Sequence, residues 1–287
     1  MKKINNIIWV ASYPKSGNTL MRYLLGNYFF NKSNKFDYNI INNIRKFHLS
    51  DDLINSNSVI EELRNNPLNI SRFWIESQKK IEIEDGNVAF LKTHNSLVNI
   101  NENQLTNSSL SLAIIYIVRD PRDVAISYSK FRGLSINETI KNMISKNLVY
   151  VKFKNNPSDV EIIGSWNFNY NSWKKGIPDI PRIIVKYEDL VDDCYSTFRK
   201  VIVFLSERLN IQVDESKIHS SVKFSDFTKL KNYETKYGFS ENTSDGNFFN
   251  TGSYNNWKKI LSNSQVENIE KNLFIEMEEL GYINKKH

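Results

Sequence analysis

The stretch Ile7-Ile8-Trp9-Val10-Ala11-Ser12-Tyr13-Pro14-Lys15-Ser16-Gly17-Asn18-Thr19 decides the reading of this chain. Its apolar first half reads as a buried strand. Pro-Lys-Ser-Gly reads as a tight turn, and Leu20 to Phe30 continues as an apolar-rich helix. Strand, turn and helix in that order aim peptide N–H groups and the positive end of a helix dipole at one point. Lys15, Ser16 and Thr19 add a cation and two hydroxyls there, a combination suited to a phosphate or sulfate group. The nucleoside-triphosphate P-loop spacing, Gly-x-x-x-x-Gly-Lys-[Ser/Thr], is absent, because here the lysine precedes the glycine by two positions.

Three more short apolar runs, at residues 88–92, 112–118 and 182–186, read as buried strands. Strands alternating with helical patterns predict an α/β fold, a central parallel β-sheet flanked by helices, with the P-loop-like strand-loop-helix at its N-terminal end. Ligands of such sheets bind beyond the carboxyl ends of the strands. The polar segments after three of the strands, residues 13–19, 93–95 and 119–127, are therefore expected to converge. Residues 31–85 read as helices and loops with few strand signals. Residues 135–171 read as helical with a break near Asn155-Asn156-Pro157, and 196–209 and 265–280 as amphipathic helices. Residues 233–256, rich in Asn, Ser, Gly and Thr, read as a loop. No repeat or linker marks a boundary, so residues 1–287 are expected to form one domain.

With 287 residues, 40% of them hydrophobic and 13% aromatic, the chain can bury a sizeable core, and disorder is excluded. A net charge of +6 and a pI near 9.1 favour anionic ligands. The charge is diffuse, without a Lys/Arg block or interleaved aromatics, which speaks against nucleic acid as a partner. The single cysteine, Cys194, excludes an internal disulfide and a cysteine-clustered metal site. The first apolar run is too short for a signal peptide or membrane anchor, so no membrane association and a cytoplasmic location are expected.

Four further segments carry candidate chemistry. Phe90-Leu91-Lys92-Thr93-His94-Asn95 places a histidine at a strand end, where an imidazole can act as a base near neutral pH. Val118-Arg119-Asp120-Pro121-Arg122-Asp123 continues to Ser127. Asp120 reads as a helix cap, Pro121 as the first helical residue and Asp123 as the acidic member of a capping box. Arg119 then sits at the strand end, with a planar fork that can meet a phosphate bidentately. Val185-Lys186-Tyr187-Glu188-Asp189 ends another strand, its carboxylates reading as caps for the helix near Ser196 or as loop anchors. The last segment is Phe248-Phe249-Asn250-Thr251-Gly252, followed by Trp257-Lys258. His48, His219 and His287 lack comparable context. No persuasive metal constellation is present, Asp51-Asp52 and Asp192-Asp193 reading as caps or solvated surface.

Tyr13–Thr19 resembles the 5′-phosphosulfate-binding loop of the cytosolic-type sulfotransferases, which use 3′-phosphoadenosine 5′-phosphosulfate (PAPS) as donor. The later segments extend the resemblance in the same order, leaving residues 31–85 and 135–180 poorly matched. It implies the sulfotransferase fold and transfer of a sulfuryl group to a hydroxyl or amine of a small-molecule acceptor, releasing adenosine 3′,5′-bisphosphate (PAP), without a metal. It further implies His94 as general base, Lys15 at the bridging oxygen of the leaving phosphate and Lys92 on the sulfuryl oxygens. Ser16, Gly17, Asn18 and Thr19 would hold the 5′-phosphosulfate, Arg119 and Ser127 the 3′-phosphate, and Tyr187 the adenine. Phe224 reads equally as an adenine contact and as core. Asn250, Thr251 and Gly252 fall on a cofactor-binding stretch in which the family usually carries arginine and lysine at the first two positions. Their loss points to weaker binding, a substitute cation (Arg122, Lys130 or Lys229) or a different local path. Leu20 replaces a tryptophan that stacks on the adenine. The family's dimer motif is degenerate, reading Ser262-Asn263 and Glu267, so the oligomeric state is left open. Phe73, Trp74, Trp166, Phe168, Tyr170 and Trp173 read either as an aromatic acceptor pocket or as core. The rival functions are a P-loop kinase-like phosphotransferase and a catalytically inactive PAPS/PAP-binding protein.

Overall fold

The structure is a computed structural model that describes residues 6–83, 87–145, 150–152 (backbone only), 160–239, 248–249 and 252–284. Its centre is a parallel five-stranded sheet in the order β2-β3-β1-β6-β9, flanked by helices. The strands are β1 (Ile7–Ser12), β2 (Arg45–Lys46), β3 (Ala89–Thr93), β6 (Ser111–Val118) and β9 (Arg182–Lys186). All four sequence-predicted strands are present, with ends shifted by a residue at most. The two-residue β2 escaped notice because Arg-Lys carries no hydrophobic signal. It pairs with β3 in the register Arg45↔Leu91 and Lys46↔Lys92, and β1 pairs with β3 from Ile7↔Ala89 to Ala11↔Thr93.

The remaining elements in chain order begin with α1 (Asn18–Phe30), α2 (Asp51–Ile54), α3 (Asn57–Asn65) and α4 (Trp74–Lys79). A hairpin of β4 (Asn99–Ile100) and β5 (Asn103–Gln104) precedes α5 (Pro121–Arg132) and α6 (Ile136–Met143). A second hairpin joins β7 (Tyr150–Lys152) to β8 (Val160–Ile162) before α7 (Trp166–Lys175). Then come α8 (Tyr187–Asp192), α9 (Cys194–Leu209), α10 (Glu215–Phe224), α11 (Phe227–Tyr237), α12 (Trp257–Ile260), α13 (Asn263–Asn272) and α14 (Phe274–Glu279). The expectation of helix through residues 135–171 is therefore corrected. Its middle contains the β7–β8 hairpin, whose strands are too short to show a period-2 pattern. The single helix expected over 265–280 is two, divided at Leu273. Residues 233–237 of the expected loop are helical, while 240–247, 250 and 251 lie outside the described residues.

The chain divides into two compact units. One comprises residues 1–13, 44–116 and 145–184. Every residue of β1 is buried there, as a strand covered on both faces requires. Trp9 meets Phe47 edge-on at 5.4 Å and donates its indole N–H to Ser111 Oγ at 2.8 Å. Trp173 packs on Trp9 and Tyr116. Trp74, Trp166, Tyr170 and Trp173 are fully buried core, while Phe168 is 42% exposed.

The other unit comprises residues 14–43, 117–144 and 185–287. In its core Tyr23, Tyr38, Ile40, Ile41, Leu230, Phe239 and Phe249 pack together, and α1 lies against α10. Asp120 caps α5 by accepting from the Arg122 N–H. Asp123 does not complete the expected capping box. Its carboxylate instead accepts from the backbone N–H of Asn255 at 2.6 Å and of Trp257 at 3.1 Å. Likewise the α9 cap is Asp193, whereas Glu188 accepts from the Asp120 N–H and the Tyr282 hydroxyl.

Candidate active site

In the second unit the turn after β1 has an unusual backbone. Lys15 has φ 65° and Gly17 φ 102°, and positive φ at closely spaced positions is the conformation of backbone nests that hold anions. Gly17 is the N-cap of α1, with no side-chain cap bond and no acidic residue in the first turn, so the positive end of the helix is not offset by the chain itself. A Cβ at Gly17 would lie 2.4 Å from the Tyr187 ring, so only glycine admits this close approach. Ser16 Oγ is buried without a hydrogen-bond partner, and so is Arg119 Nε. Orphaned buried polar atoms are costly unless a ligand completes them, and both of these suit phosphoryl oxygens. The cradle therefore fits an anionic phosphate ester.

Arg119, at the end of β6, donates to the carbonyls of Lys15 at 3.3 Å and Ser253 at 3.1 Å, and its guanidinium lies 4.5 Å from the Tyr187 ring centroid. It thus ties the turn to the segment around Gly252. Lys15 Nζ sits 3.7 Å from the Phe248 centroid and 4.7 Å from Phe131. Asn18 and Thr19 open α1, and Ser127 lies two turns into α5. Gly252 has φ 61° and lies under the ring of Phe227, where a Cβ would come within 2.7 Å. Phe227, missed in the sequence, is the aromatic residue against this segment. Its signal was the Asp226 cap that starts α11 there. Phe224 ends α10, half-buried. Asn250 and Thr251 lie outside the described residues. Arg122 does not act as their substitute: its guanidinium is bound to Asp120, Glu270 and the Tyr282 carbonyl, and it stacks 3.8 Å over Trp257.

In the first unit His94 follows β3 directly, half-buried. Its Nδ1 lies 2.8 Å from the Ser12 carbonyl, which can only accept, so Nδ1 carries the proton and Nε2 keeps its lone pair. The Ser12 hydroxyl is 3.2 Å from the same nitrogen. Loss of hydration, with Lys92 and Lys46 nearby, pulls the imidazole pKa down from 6.5 to about 4 against the opposing pull of Glu161 and Ser12. At neutral pH the ring is therefore uncharged, as a base must be. Asn169, on α7, fixes the turn behind it. Its amide nitrogen donates to the carbonyls of His94 and Ile163 and to Ser96 Oγ, and its oxygen accepts from the Tyr116 hydroxyl at 2.8 Å. Trp173 Nε1 donates to the Asn95 carbonyl. Asn169 gave no motif and is visible only in three dimensions.

Among the described residues no three His, Cys, Asp or Glu side chains gather in metal-binding geometry, and no helix is long and apolar enough to cross a membrane.

A positive-φ turn between a strand and the N-terminus of a helix, on a parallel sheet, is a phosphate-binding arrangement of the P-loop-like α/β class. Comparison with known proteins narrows this. The sulfotransferase domain family matches residues 5–281, and the chain belongs to that family. It is 26% identical over 279 residues to the luciferin sulfotransferase of Photinus pyralis, covering 90% of this chain and 68% of that protein. It is 22% identical over 280 residues to the amine sulfotransferase of Oryctolagus cuniculus, covering 92% and 78%. Among solved structures, retinol dehydratase in complex with retinol and PAP superposes with a TM-score of 0.61 at 16% identity, covering 96% of this chain and 82% of that one. Mouse sulfotransferase SULT7A1 with PAP gives 0.57 at 18% identity, covering 98% and 87%.

Proposed function

We propose that the protein transfers the sulfuryl group of PAPS to a hydroxyl or amine of a small-molecule acceptor, with His94 as general base. The observation that carries this reading is the neutral His94 ring, its proton held on Nδ1 by the Ser12 carbonyl and its Nε2 lone pair left to take the acceptor's proton. PAPS, when bound, supplies an activated sulfuryl group on a phosphate leaving group. The chain's own residues would do the rest. Ser16 Oγ, the turn amides and the N-terminus of α1 would bind the 5′-phosphosulfate, with Asn18 and Thr19 in the first turn of the helix. Lys15 would meet charge developing on the bridging oxygen, and Lys92 would balance the sulfuryl oxygens. Arg119 and Ser127 would bind the 3′-phosphate and Tyr187 would flank the adenine. Phe227 against Gly252 suits the aromatic role better than Phe224. As in phosphoryl transfer, positioning and fixed positive charge would carry most of the rate enhancement.

The same reading takes residues 1–287 as one sulfotransferase domain, and the family match over nearly the whole chain supports it. Small-molecule acceptors are supported by the relatives named for luciferin and amines. His94→Ala should lower turnover at least about a thousandfold while PAP binding by calorimetry stays within about threefold. Turnover near the wild-type value would remove His94 from the role of base, and loss of PAP binding would show that the substitution disturbs more than the proton transfer.

A further inference from the structure

Beside the end of β3 lies a charge cluster of buried Glu161 with half-buried Lys46 and Lys92, of which sulfuryl transfer as proposed uses only Lys92. Glu161, the middle residue of β8, is 3% exposed. Its Oε1 accepts from the backbone N–H of His94 at 3.3 Å, and its Oε2 faces Lys46 Nζ at 3.9 Å. Lys46 is the register partner of Lys92, so the two lysines stand side by side on one face of the sheet. A carboxylate this deeply buried is strongly destabilising unless cations or donors face it. Burial pushes the Glu161 carboxyl up, but Lys46, His94 and Lys92 outweigh it and hold the group ionised.

We infer that Glu161 is a positioning residue for His94: its carboxylate pins the His94 backbone N–H at the end of β3 and sets a negative charge beside the ring, opposite Lys46 and Lys92. The inference rests on the reading of His94 as the base. Glu161 does not act as the carboxylate of a carboxylate–histidine dyad, because the ring nitrogen such a carboxylate would hold is already given to Ser12. It acts through the strand end and through the field. The groups facing His94 are Ser12 on β1, Lys46 on β2, Lys92 on β3, Glu161 on β8 and the uncharged Asn169 on α7. Glu161 is the negative member of this set. Without it, two lysines would make the imidazole a poorer proton acceptor and leave a backbone donor unsatisfied.

The test reads His94 directly and needs no acceptor. In Glu161→Gln the amide oxygen can still accept from the His94 N–H while the charge is gone, and Lys46→Met removes a charge of opposite sign. Titration of the His94 ring nitrogens by NMR, with His48 and His219 as references, should show the midpoint falling by about half a unit or more in Glu161→Gln and rising by a similar amount in Lys46→Met. Glu161→Leu should also speed exchange of the His94 amide proton about tenfold or more, whereas Glu161→Gln should not. Should Glu161→Leu fail to fold, the charge-only pair still decides the matter. Opposite shifts support the inference; midpoints that stay put or move in the same direction overturn it. Loss of the base assignment would instead appear as normal turnover in His94→Ala, so the two readings fail separately.

Discussion

At the scale of single residues, His94 and Gly17 carry constraints that can be measured without any substrate. The folded imidazole titrates near pH 4 and the unfolded one near 6.5, so the unfolded chain binds the extra proton first as pH falls. Stability contributed by neutral His94 is complete above pH 6.5, declines as pH falls, and is fully lost once pH passes below about 4. The shift sets an upper bound of about 3 kcal/mol, reduced in practice because the ring is half-buried and partly solvated. Denaturant unfolding from pH 7.5 to 4.5 should therefore show a decline in stability that His94→Gln flattens; equal slopes in the two proteins would mean that His94 is not the group responsible. Gly17 is constrained differently. Alanine there would meet the Tyr187 ring at 2.4 Å while holding a φ of 102°, and should cost about 2–3 kcal/mol. Thermal unfolding and PAP titration should fall together, since the same atoms shape the cradle. His94 and Gly17 were legible because each sits in a short motif whose chemistry demands it. Glu161 was not, since a lone glutamate in an apolar run carries no motif, and its neighbours Lys46 and His94 lie far from it in sequence.

At the scale of elements, caps decided more than hydrophobic pattern did. Asp120 and Pro121 announced α5 correctly, because a side-chain acceptor before a proline at the first helical position is a local signal. Asp123 obeyed a long-range partner instead, holding the backbone of Asn255 and Trp257. Arg122 followed the same rule. Offered by the sequence as a substitute phosphate cation, this residue of the first turn of α5 is in fact 5% exposed and locked between Asp120 and Glu270. Arg122→Met should leave two buried or half-buried carboxylates without their cation and lower stability by about 3–5 kcal/mol, read as the denaturant midpoint at unchanged slope. A loss below about 1 kcal/mol would mean that water replaces the guanidinium. The β7–β8 hairpin shows the opposite limit of sequence reading. Its strands have three residues each, too few for any periodicity to register, and their existence depends on pairing with each other.

At the scale of the whole molecule, the strands of the sheet were the most legible feature, since continuous apolar runs flanked by turn residues have few alternatives in a chain of this composition. The aromatic-rich segments were the least legible, because aromatic residues serve a core and a pocket equally well. Four of the six candidates proved to be fully buried core. The diffuse charge of +6 also has a global consequence. PAP affinity should weaken about tenfold between 50 and 500 mM salt, measured by calorimetry, because screening attenuates the general field as well as the local contacts. An affinity insensitive to salt would place recognition in the buried cradle alone. Asn169 carries a last implication. One amide holds the carbonyls of His94 and Ile163, the hydroxyl of Ser96 and a tyrosine of the central sheet. Variation at any of these positions must satisfy the others at once. For natural selection or a designer seeking a new acceptor, this turn is inheritance, and the room for invention lies in segments that no single side chain binds together.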